Sequence, residues 1–226
     1  MLDFSRLTTP RRGFLGGLAA AALGVTGVAG RLAAAPPPRR ASNNPEFEKW
    51  LDGITGKHRQ VVDATAPDGF GLIMTYVWLM TQRDTYGLED ADLSAVLVVR
   101  HSAIAMALGD DVWAKYKLGE QFNVNDPATK APMLRNPFAH VRPGEMQPFP
   151  DAAAEKLLAR GVKIGVCNVA LTLRSARAAQ QLGVAKEEAK REWVAGLLPG
   201  ATVVPSGVLA VSRAQEHSCT YCSAAL

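Results

Sequence analysis

The sequence holds only three cysteines, Cys167, Cys219 and Cys222. Three thiols cannot all pair within one chain, so at least one is left over for packing or for chemistry. Cys219 and Cys222 form the one CxxC, and there is no second CxxC to complete a four-sulfur metal site. No glycine-rich dinucleotide fingerprint and no phosphate loop occurs, so a nucleotide is not indicated and no cofactor is expected. No internal repeat is visible, which sets solenoids and propellers aside. Aromatic residues are only 7% of the chain. Trp50, Trp78, Trp113 and Trp193 are spread along it as core and interface material, not as a platform for stacked bases.

An excess of positive charge exists, but it is local. The chain carries 25 basic and 21 acidic residues, a formal charge of +4. Residues 1–35 contain Arg6, Arg11, Arg12 and Arg31 against Asp3, and the remainder holds 21 basic and 20 acidic residues. Nucleic-acid binding therefore gets no support from charge.

The first 35 residues include TTPRRGFLGGLAAAALGVTGVAGRLAAA. Paired arginines, a Phe-Leu pair and a weakly apolar Ala/Gly run match a twin-arginine export signal, with cleavage expected near Ala33–Ala35. An uncleaved anchor over residues 13–30 competes with that reading, but Gly and Ala give the run little drive to stay in lipid. Export implies the twin-arginine translocase as a partner and a periplasmic location, an oxidising place where exposed thiols tend to pair. A Pro-rich linker follows at 36–45, then one domain from 46 to 226.

Within that domain the apolar periodicity alternates between strands and helices. EFEKWLDGI is a short helix, HRQVVDA is strand one and FGLIMTYVWLMT is a buried helix with Leu72, Tyr76 and Leu79 on one face. LSAVLVVRH is a continuous apolar run that suits a strand of a parallel sheet. A helix is expected from Ser102, with Ile104, Leu108 and Val112 in one stripe. From Gly119 to Pro150 the periodicity is lost and six prolines occur, so this long loop is expected to be functional or mobile, a lid over the site. DAAAEKLLARG reads as a helix with Asp151 as its N-cap. Then come VKIGVC as strand three, a helix to about Leu182, KEEAKREWVAGLL as a helix, ATVVP as strand four, a helix capped by Ser206, and SCTYCSA as a last strand. Alternation of this kind implies a flavodoxin-like three-layer α/β sandwich on a four- or five-stranded, mainly parallel sheet.

Ligands of open α/β sheets bind beyond the carboxyl ends of the strands. The expected strand ends supply Asp63, His101, Cys167, Asn168, Pro205 and Ser206. Cys167 precedes a helix, and the positive end of a helix favours thiolate over thiol. His101 suits a proton partner. Each residue also has a plain structural use. Cysteine often only fills space. His101 could bond a loop carbonyl through its ring, and Asp63 could cap a turn. For HSCTYC, three residues of extended chain span about 10 Å, beyond the roughly 7 Å that a disulfide tolerates. A structural role for Cys219 and Cys222 comes first, a disulfide in a turn second, and a metal site with His217 third.

GVKIGVCNVAL and LLPGATVVPSGVLAVSRAQEHSCTYC together resemble the DsrE/DsrF-like (YchN-like) family, and VVRHSAIAMAL resembles that family's second strand and following helix. The similarity runs from about Arg59 to Tyr221. It is nearest to an exported branch that carries the pattern Arg100–His101, WAKYKLGE and Asn136–Phe138. The resemblance implies a homo-oligomer, trimer or hexamer, and sulfur relay through a persulfide on Cys167 with a sulfur donor or acceptor as partner. Cys219 lies near a position where relatives often have glycine. A non-catalytic module that binds a small ligand or a metal, with Cys167 packed in the core, is the alternative.

Overall fold

The computed structural model describes residues 42–224, so the expected export signal and the first part of the linker lie outside the described residues. The last linker residues belong to a helix. Asn44 caps α1 (Pro45–Asp52), its side chain accepting the Phe47 N–H at 3.0 Å. Among the described residues, no helix is long and apolar enough to cross a membrane.

Five strands form one all-parallel sheet: β1 (His58–Ala64), β2 (Leu93–Val99), β3 (Lys163–Cys167), β4 (Thr202–Val204) and β5 (Thr220–Ser223). Their order is β4-β3-β2-β1-β5. With helices on both faces, this is a flavodoxin-like three-layer sandwich. Side chains alternate across the sheet with the period of two that extended backbone dictates. Val62, Leu97, Val99 and Val166 pack on one face, with α2 (Phe70–Tyr86), α3 (Asp110–Tyr116), α6 (Asn168–Leu182) and α7 (Lys186–Ala195). Val61, Val96, Val98 and Val204 pack on the other, with α1 and α8 (Gly207–Glu216). The central strands are buried on both sides, which is why β2 reads as an unbroken apolar run.

The connections after β1, β2 and β3 all lead to the first face, and the connection after β4 leads to the second. Chain direction across the layers therefore reverses between β3 and β4. A crevice opens at such a switch point, at the carboxyl ends of the two strands.

Some expected elements take a different form. The helix expected from Ser102 is a 3-10 turn over Ala103–Ala107 followed by α3. Leu108 breaks it by adopting extended backbone and bridging to Leu197, and the Gly109 N–H donates to Gly196 O at 2.8 Å. Asp151 is not an N-cap. It lies in a 3-10 turn, Pro150–Ala152, and its carboxylate pairs with Lys156 at 2.6 Å, while α5 (Ala154–Ala159) starts three residues later. The helix expected to reach Leu198 stops at Ala195, because Leu197 is drawn into the bridge with Leu108.

The segment 119–150 is stitched to the body. Its first residues continue α4 (Leu118–Phe122). Asn136, 1% exposed, donates its amide to the carbonyls of Met106 and Leu108 at 3.0 and 2.8 Å, and its Oδ1 accepts the Phe138 N–H at 2.8 Å. The side chain thus satisfies backbone carbonyls that the broken helix leaves free. Arg135 pairs with Glu145 in the same segment.

Candidate functional site

Cys167 is the last residue of β3 and the N-cap of α6. Its Sγ accepts the N–H of Ala170 at 3.4 Å, in the first turn of the helix. The side chain is 6% exposed, and that exposure faces an open pocket of about 420 Å³. The pocket is the crevice between β3 and β4. Arg100 and His101 line it from the end of β2, Cys167 from β3, and Ser206 and Gly207 from the turn after β4. Ser206 caps α8 by accepting the Leu209 N–H at 3.1 Å. Two helices therefore begin at one crevice, and their partly positive ends favour negative charge there.

Arg100 is the fixed cation of the site. Its Nε and Nη2 donate to Asp63 Oδ1 and Oδ2 at 2.7 and 2.9 Å, a two-point pair. The Tyr221 hydroxyl donates to Asp63 Oδ2 at 3.3 Å. The hydrogen bond to Asp63 holds the Arg100 guanidinium above its ordinary range, and the charges of Asp63, Tyr221 and Cys167 act in the same direction. Gly207 lets the Arg100 stem pass. A Cβ at 207 would sit 2.6 Å from Arg100 Cβ and 3.0 Å from its Cδ.

His101 lies two residues past the end of β2, in the left-handed region at φ 55°. This backbone is uncommon for a residue with a Cβ, and such strain gathers at working sites. The turn is held by Ser102 N and Ala103 N, both donating to Thr65 O at 3.2 Å. Among the described residues, the imidazole meets side chains and no loop carbonyl. Its Nδ1 meets Ser102 Oγ at 3.0 Å, and Arg174 Nη2 lies 3.3 and 3.1 Å from its two nitrogens.

The sequence-based site is thus gathered in part. Cys167, His101 and Ser206 line one pocket. Asp63 is 6% exposed and acts on Arg100, so it positions a pocket residue and neither caps a turn nor faces the pocket. Asn168 and Pro205 flank the crevice in sequence but are not among its walls. No residue of 119–150 lines it either, so that segment is not a lid over Cys167.

Sequence reasoning missed three arginines. Arg100 enters the sequence reading only as part of the Arg100–His101 pattern, with no role of its own. Arg174 and Arg177 line the pocket from α6, where arginines three apart read as an ordinary solvated face. Val169 and Leu173 also line it and stand 50% and 65% exposed, and Val208 of α8 stands 69% exposed. Apolar residues at positions 169 and 173, outside the buried stripe of α6, were the available signal.

Cys219 and Cys222 are not brought together. Cys219 is buried beneath α1 and α8, whereas Cys222 packs against the opposite face of the sheet, so the two thiols are separated by the sheet itself and both are free. Burial pushes the Cys219 thiol up to about 11 and also raises that of Cys222. His217 ends α8, and its carbonyl accepts Arg59 Nη1 at 2.9 Å. Among the described residues, no three His, Cys, Asp or Glu side chains stand close enough to hold a metal ion.

The chain matches no family model and no curated relative. Among solved structures it is similar to a protein of unknown function from Methanobacterium thermoautotrophicum, at 15% sequence identity and a TM-score of 0.36, over 74% of this chain and 98% of that one.

Proposed function

We propose that this protein is an exported DsrE/DsrF-like sulfur-handling protein in which Cys167 accepts sulfur as a persulfide. One observation carries the reading: the Cys167 sulfur sits at the switch-point crevice, takes a hydrogen bond from the first turn of α6, and shares its pocket with Arg100. A thiolate and the terminal sulfur of a persulfide are both anions. The start of a helix and a fixed guanidinium stabilise them. Periplasmic location through the twin-arginine translocase, and assembly as a trimer or hexamer, belong to the same reading. They rest on residues 1–35 and on the family resemblance.

The test is intact-protein mass spectrometry after incubation of the full chain with polysulfide. The expected result is a gain of one sulfur mass, reversed by reductant and absent in Cys167→Ala. Loading that survives in the variant removes the reading. The near-complete cover of Cys167 favours a second reading, a small-ligand-binding module in which the thiol only packs. That reading requires Cys167 to resist alkylation until the chain is unfolded.

A further inference from the structure

The crevice walls are chemically divided. Arg174 and Arg177 project from α6, and among the described residues neither pairs with a carboxylate. Arg174 instead rests against the His101 ring and over the Phe122 ring, 5.7 Å from its centroid. Arg100 is matched by Asp63, and among the described residues no carboxylate lines the pocket. Arg177 also faces the adjoining cavity lined by Glu120 but forms no ion pair with it, so among the described residues two guanidinium charges stand at the mouth without a paired carboxylate. Beside them Val169, Leu173 and Val208 stand exposed to water. A free inorganic anion would satisfy the arginines and leave this apolar wall wet. An apolar molecule would cover the wall and leave the charges unmatched. The pocket, about 420 Å³, has the size of a small-molecule site.

We infer that the sulfur donor for Cys167 is an organic thiosulfonate, R–SO2–S⁻, whose oxyanion head meets the arginines and whose apolar R group lies on Val169, Leu173 and Val208. The inference rests on the reading of Cys167 as a sulfur acceptor. The Cys167 thiolate attacks the terminal sulfur of the donor. A bond forms between Sγ and that sulfur, the S–SO2 bond breaks, and its electron pair leaves with the sulfinate R–SO2⁻. Two negative charges enter and two remain, on persulfide and sulfinate, and no outside oxidant or reductant is consumed. Arg174 and Arg177 offset the charge that gathers on the departing sulfinate.

The experiment measures the rate of one-sulfur gain on Cys167 of the full chain with three donors: benzenethiosulfonate, thiosulfate and polysulfide. Each rate is divided by that of N-acetylcysteine with the same donor, which removes intrinsic reactivity. The normalised rate is expected to favour benzenethiosulfonate over thiosulfate by about tenfold, the effect of covering a small apolar group. Leu173→Ser should shrink that preference, read as the ratio of the benzenethiosulfonate rate to the thiosulfate rate in the variant against the same ratio in the parent. Replacing both Arg174 and Arg177 by Gln should slow both oxyanion donors. Equal normalised rates for benzenethiosulfonate and thiosulfate, or a preference unmoved by Leu173→Ser, overturns the donor assignment while polysulfide loading keeps the acceptor reading. Failure of all three donors overturns both.

Discussion

Cys167 and Cys219 are covered to the same degree, each 6% exposed, and their surroundings are opposite. Cys219 lies on the face that carries α1 and α8, among Trp50, Val61 and Val96, and burial there raises its thiol to about 11. Cys167 lies at a strand end, with an N–H aimed at its sulfur and a paired guanidinium beside it in an open crevice. The difference teaches that fractional cover does not grade a cysteine. What matters is whether the remaining few per cent open onto charge and a cavity or onto hydrocarbon.

Alkylation of the native chain should separate the two most strongly. With iodoacetamide at about pH 8, a thiol titrating near 11 is ionised to about one part in a thousand, so Cys219 should label far more slowly than Cys167, which opens onto the crevice. Peptide mapping by mass spectrometry reads both sites at once. Equal labelling would erase the contrast.

The next effect concerns alkaline stability. The folded Cys219 thiol holds its proton to about 11 against an ordinary 9.0. Its stabilising effect is full below about pH 9 and is lost as pH rises toward 11, because the unfolded chain gives up the proton first. That loss should reach roughly 2–3 kcal/mol. Urea unfolding across this range should show the fall in the parent and in Cys167→Ala, and a shallower fall in Cys219→Val.

Around Cys167 the expected losses are of packing and pairing. Asp63→Asn breaks a two-point pair to a guanidinium side chain that is 33% exposed, and should cost about 1–3 kcal/mol in urea unfolding. It should leave Cys219 labelling unchanged, since Asp63 acts through Arg100 on the crevice. Gly207→Ala forces a Cβ against the Arg100 stem and should cost about 1–2 kcal/mol. The smallest change is Leu173→Ser, within about 0.5 kcal/mol, because Leu173 is 65% exposed. A larger loss there would mean that this wall supports the fold as well as facing the pocket.

The alternation of strands and helices was legible because β2 and β3 are double-faced buried strands with little polar interruption. Cys167 was placed correctly at its strand end for the same reason. Asp63 was picked out, but its partner was not. The pair joins adjacent strands in space, and one sequence carries no sign of which cation it meets. The helix expected after Ser102 failed at Leu108, where a backbone bridge to Leu197 outweighs the apolar stripe. The lid failed at Asn136. One buried amide that answers carbonyls about thirty positions earlier turns a Pro-rich loop into a docked segment.

Strand order also governs how the chain can fold. β5 is the last of the five described strands in sequence, and among the described residues its neighbour in the sheet is β1, the first, with Gln60 opposite Thr220 and Asp63 opposite Ser223. Until β5 emerges, β1 presents an unpaired edge, the kind of edge that recruits other chains. Closing the sheet then joins the first and last described strands across all the elements between them, a slow, high-contact-order step. Tyr221, which completes the Asp63–Arg100 pair, arrives with that strand. The crevice therefore gains its full hydrogen-bond network only once β5 has paired with β1, so copies cut before Thr220 or only half folded carry the cysteine without the complete support around it.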